Sequence, residues 1–107
     1  MNETKTNYTQ KVYSVRDSKS EVFFKPFISK NAGEALRSFA SEANRGDGLI
    51  SQYPEDFALY ELGDWDERAG KLMPYLQNKM LGHAFEFKQG SEDGRTDIER
   101  AREDRAN

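Results

Sequence analysis

Between Ala32 and Asn44 the apolar residues recur with the period of a helix. Ala32, Ala35, Leu36, Phe39, Ala40 and Ala43 stand at offsets 0, 3, 4, 7, 8 and 11, one stripe along an amphipathic helix. Ser29 or Asn31 can cap its start, Glu34 suits the positive end of the helix dipole, and Gly46 follows as a stop signal. Four of the six stripe residues are alanine. A helix with so little bulk on its buried side can lie close against a sheet.

The flanking segments supply that sheet. Lys11 to Arg16 carries Val12, Tyr13 and Val15 and reads as a first strand. Asp17-Ser18-Lys19-Ser20 reads as a turn, because short polar side chains bond their own backbone. Glu21 to Phe24 follows as a second strand, closing a hairpin before Pro26. Phe57 to Leu62 reads as a third strand, with Phe57 and Leu59 on one face and Ala58, Tyr60 and Leu62 on the other. Gly63 to Gly70 is expected to turn. Lys71 to Met73 would be a short fourth strand ended by Pro74, and His83 to Phe87 a possible fifth. The expected fold is therefore α+β in two layers, a small antiparallel sheet with one amphipathic helix in the order β-β-α-β-β.

The chain of 107 residues suffices for one domain. Residues 1–10 read as a flexible polar lead and 11–87 as the domain. Residues 88–107 read as a disordered or helical charged tail, since Ile98 is their only large aliphatic side chain. There is no cysteine, which fits a reducing compartment and excludes Cys/His zinc sites. The polar first ten residues predict no export signal, and no apolar run approaches the roughly 18 residues that span a bilayer.

Chemical motifs are sparse. No G-x-S-x-G, P-loop or G-x-G-x-x-G pattern occurs. Asp64-Trp65-Asp66-Glu67 reads as an acidic hairpin turn rather than a hard-metal site, because the rest of a calcium loop is missing. His83, the single histidine, reads as structural. The chain is thus expected to be non-enzymatic, with no catalytic residue, cofactor or metal.

Charge is uneven. Residues 1–45 carry eight Lys/Arg against five Asp/Glu, and residues 46–107 eight against fourteen, for a net charge of −3. An acidic total argues against strong, non-specific DNA binding, though a local basic face in the first half remains open. In the first half Lys11, Arg16, Lys19, Lys25, Lys30 and Arg37 interleave with Tyr13, Phe23, Phe24 and Phe27. Cations for phosphates beside rings for bases is the pattern of a single-strand binder. The same pattern also fits rings in a core with cations solvating its rim. Phe23 and Phe24, adjacent on a strand, must point to opposite faces, which marks one of them as a contact residue.

The stretch Val12-Tyr13-Ser14-Val15-Arg16-Asp17-Ser18-Lys19-Ser20-Glu21 carries a family resemblance. With Pro26-Phe27, Gly33 to Phe39 and Tyr53-Pro54-Glu55-Asp56-Phe57-Ala58-Leu59-Tyr60-Glu61-Leu62-Gly63, it resembles the small nonstructural protein of gokushoviruses, single-stranded-DNA bacteriophages of the Microviridae. The resemblance spans about residues 11–87. It implies a nonstructural protein of the host cytoplasm that binds DNA and assists the switch to single-strand synthesis or genome packaging. The residues expected to meet DNA are Arg16, Lys19, Lys25, Lys30, Arg37 and Phe23. The rival expectation is a protein–protein adaptor for the phage replication or procapsid machinery, without direct DNA contact. Phage or host proteins would be its partners, and it could pair with itself as a homodimer through edge strands.

Overall fold

A computed structural model describes residues 8–89. Strand β1 (Thr9–Asp17) runs through the middle of an antiparallel sheet. On one side it pairs along its whole length with β4 (Phe57–Asp66). On the other it meets β3 (Phe27–Ser29) over Lys11–Tyr13 and β2 (Val22–Phe23) over Arg16–Asp17. Strand β5 (Lys71–His83) pairs with β4 and forms the outer edge. Helix α1 (Ala32–Ala43) covers one face, followed by the short α2 (Leu49–Gln52), a 3-10 turn at Pro54–Asp56 and a second 3-10 turn at Ala84–Phe87. The two-layer α+β architecture is as expected, with β3 and α2 added to the order β-β-α-β-β.

The alanine stripe explains the packing. Ala35, Phe39 and Ala43 are buried with Tyr13, Val15, Ile50, Phe57, Leu59 and Ala84 in one core, and Phe27, Leu36, Leu81 and Phe87 close its rim. Asn31 caps α1 by accepting the Glu34 amide at 2.9 Å. At the other end the Asn44 side chain donates to the carbonyls of Ala40 and Phe87 and accepts the Gln89 amide. One residue thus fastens the helix C-terminus to the chain leaving the last turn.

Several element boundaries differ from the sequence expectation. The second strand is cut to two residues because Glu21 has a left-handed φ of 63°. The third strand continues through Asp64, Trp65 and Asp66, and the turn falls at Glu67–Gly70, where Gly70 has φ 66°. Pro74 does not end a strand. It lies within β5, which pairs on one side only, where a missing N–H can face away from the ladder. The expected fifth strand, His83 to Phe87, is instead the end of β5 and a 3-10 turn, in which Glu86 accepts the His83 amide.

The hairpin of β4 and β5 is irregular. Gly63 pairs with Pro74, and Glu61 with Lys79, so residues 75–78 loop out of the ladder. At Gly63 the backbones approach so closely that a Cβ would meet the Met73 carbonyl oxygen at 2.5 Å and Pro74 Cα at 2.7 Å. A glycine is required there. Of the expected lead 1–10, Thr9 and Gln10 instead open β1; its residues 1–7, and residues 90–107 of the expected tail 88–107, lie outside the described residues.

Candidate functional site

Cross-strand partners share a face of a sheet and successive residues alternate. Tyr13, Val15, Phe57 and Leu59 point to the helix, so Arg16, Phe23, Ile28, Tyr60 and Met80 belong to the opposite, open face. Arg16 stands on β1 between Phe23 of β2 and Ala58 of β4. The Phe23 ring meets the Tyr60 ring edge-on, with centroids 5.3 Å apart. Phe23 keeps 40% of its surface and Met80 48%. The neighbouring Phe24, one residue past the end of β2, meets the Phe57 ring, centroids 5.7 Å apart, and keeps 38% of its surface. Ser14, the β1 partner of Tyr60, is buried, its hydroxyl donating to the Phe24 carbonyl at 2.6 Å.

The six residues expected to meet DNA are therefore only partly gathered. Arg16 and Phe23 are direct neighbours on the open face. Lys25 is exposed in the link that leaves Phe23 for β3. Lys30 is exposed at the far end of β3, ahead of α1. Lys19 sits in the β1–β2 turn, beside a cavity lined by Asp17, Tyr53 and Asp56. Arg37 is exposed on α1, across both layers from Arg16. Among the described residues none of these five cations takes part in a salt bridge. Tyr60, Met80 and Ile28 were not singled out from sequence. Their alternation places them on a face, but only the register across β2, β1, β4 and β5 shows that Tyr60 meets Phe23.

A second cluster lies on the helix-side face, beyond the core. Lys11 Nζ pairs with Asp64 at 2.7 Å and donates to the Tyr75 hydroxyl at 3.3 Å. Tyr75 in turn donates to Glu61 at 2.5 Å. Glu61 is only 5% exposed, so this phenol supplies a donor to a buried carboxylate. The Asp64 carboxylate holds the Lys11 ammonium well above the usual lysine range. Burial, reinforced by the charge of Glu61, pushes the Tyr13 phenol up to about 12. Burial, followed by the bond to Glu61, raises Tyr75 as well. Both phenols therefore stay neutral at ordinary pH, and the cluster anchors the looped-out part of β5 to the sheet. Tyr75 gives no sequence signal for this role, because its position depends on the irregular register.

Among the described residues no group of three or more His, Cys, Asp or Glu side chains could hold a metal ion. No helix among them is long and apolar enough to cross a membrane.

These features define a small two-layer α+β domain with one sheet face left open by the helix and bearing aromatic side chains. The chain belongs to the Phage ORF5 protein family, whose model matches residues 10–87, from the second residue of β1 to the last of the final 3-10 turn. It is thus a bacteriophage protein. No curated protein and no solved structure matches it.

Proposed function

We propose that the protein is a non-enzymatic phage nonstructural protein that binds single-stranded DNA on its open sheet face. Its setting would be the cytoplasm of a bacterium infected by a gokushovirus, where it assists the switch to single-strand synthesis or genome packaging. The observation that carries this reading is the Arg16–Phe23–Tyr60 group, a cation beside two rings on the sheet face turned away from the helix. Bases in a duplex are already stacked on one another, whereas unpaired bases can stack on protein rings. Arg16 and Lys25 supply the phosphate contacts. Lys19, Lys30 and Arg37 attract the polyanion from other sides without sharing the platform.

With two or three phosphates neutralised, the affinity falls with salt at a log–log slope of about −2. Fluorescence anisotropy with a labelled oligonucleotide at low and moderate salt tests this. Absence of binding at roughly 50 µM protein in low salt contradicts it. The acidic balance of the chain, net −3, favours a second reading as an adaptor without DNA contact. Pull-down from infected cells with nuclease treatment separates the two, since an adaptor keeps its partners when nucleic acid is destroyed.

A further inference from the structure

Phe23 of β2, Arg16 of β1, Ala58 of β4 and His83 of β5 are successive cross-strand partners. Their side chains therefore stand in one row across the sheet face turned away from α1. Gly82, one residue earlier, faces the helix side, where a Cβ would meet the Phe87 ring at 3.1 Å, so His83 faces the other way. The His83 imidazole stacks on the Phe85 ring, centroids 5.2 Å apart and planes inclined by 17°. Glu86 accepts the His83 amide at 3.2 Å, which ties the turn carrying both rings to the strand end. Glu86 also stands 3.6 Å from His83 Nδ1, so a positive imidazole would have its charge matched locally. What His83 offers a ligand is ring surface, and its side chain is 36% exposed. The row thus has a pair of rings at each end and a cation between them.

Resting on the DNA-binding reading above, we propose that His83 and Phe85 form a second base-stacking site, and that a bound single strand runs across the β-strands from the Phe23–Tyr60 pair to this one. Three strand spacings separate Phe23 from His83, about 14 Å. At the 3.4 Å rise of stacked nucleotides that distance is about four steps, and fewer in a stretched strand. One strand of a few nucleotides therefore reaches both ring pairs. Arg16 stands on the row between them, where the backbone linking the two stacked bases carries its phosphates. Base stacking on rings is indifferent to sequence, since every base has a π-face. The site accordingly selects for unpaired bases and for length, and not for a base order.

His83 is the single histidine of the chain, so its ring protons can be followed in a proton NMR spectrum without ambiguity. The test titrates the full chain, at fixed pH, with a thymidine oligonucleotide of about ten residues. Both ring signals are expected to move upfield, the ring-current effect of a base stacked on the imidazole, with the midpoint that fluorescence anisotropy gives for the labelled strand. His83→Ala, its fold checked by circular dichroism, is expected to weaken that binding roughly fivefold or more, with the salt slope unchanged. A strand of about three thymidines, too short to reach both ring pairs when stacked, is expected to bind more weakly than the longer one. Signals that stay in place, or that move downfield as a phosphate against the ring would move them, overturn the proposal when anisotropy reports binding, and they leave the DNA-binding reading standing. Equal affinity for the short and long strands, or for wild type and His83→Ala, does the same. No anisotropy change with the wild-type chain removes both together.

Discussion

Two tyrosines that differ in one hydrogen bond give the sharpest tests at the scale of single residues. Tyr13 is fully buried, and its hydroxyl finds no hydrogen-bond partner among the described residues. Tyr75 donates to the buried Glu61. Tyr13→Phe removes no bond and is expected to change stability at pH 7 by less than about 1 kcal/mol in urea denaturation. Tyr75→Phe deprives a buried carboxylate of a donor and is expected to cost about 1–3 kcal/mol. Alkaline pH separates them further. The Tyr13 phenol is raised from 10.0 to about 12 in the folded chain. A raised value means that its contribution is intact below pH 10 and is lost as pH climbs from 10 through 12, by up to about 2–3 kcal/mol. In Tyr13→Phe that part of the alkaline loss disappears, and denaturation curves at pH 9 and 11.5 check it. Tyr75, also raised, keeps contributing loss in the same direction.

At the scale of elements, the β4–β5 hairpin depends on a close approach that only glycine permits. Gly63→Ala sets a Cβ against the backbone of Met73 and Pro74, neither of which is a flexible side-chain end. The substitution is expected to destabilise by about 2 kcal/mol or more, read from the urea midpoint, or to displace β5. In α1, Phe39→Ala empties the centre of the core and is expected to cost about 3–5 kcal/mol, enough to unfold a domain of this size. Helix α1 was legible because its period of apolar residues and its Asn31 cap are local signals. The alternation in Phe57–Leu62 was legible for the same reason. Strand β5 was not. Pro74 reads as a terminator, and whether its missing N–H matters depends on which side of the strand is paired, a fact of topology and not of local sequence. The loop at residues 75–78 was hidden too, because its cause is the close approach at Gly63 and the anchoring of Tyr75 across the sheet. Of the candidate site, the different neighbours of Phe23 and Phe24 were expected from strand geometry, although Phe24 lies one residue past the end of β2. The separation of Arg37 from Arg16 by two layers was not, since spacing along a chain says nothing about which layer an element joins.

For the whole molecule, the one-sided cover sets what the domain can do. Helix α1 protects one face of the sheet, and the opposite face keeps Phe23, Tyr60 and Met80 beside Arg16. On the function proposed above, an acidic chain with this face would favour a single strand, whose bases contribute binding, over a duplex, whose attraction is mainly to charge. The most direct measurement is the affinity of a labelled single strand and of its duplex for the wild-type chain and for Phe23→Ala and Tyr60→Ala. The account expects the single strand to bind more tightly than the duplex, and each ring deletion to cost about 1–3 kcal/mol of single-strand affinity while leaving the salt slope unchanged. Equal affinity for both forms, or single-strand binding untouched by loss of either ring, would contradict it.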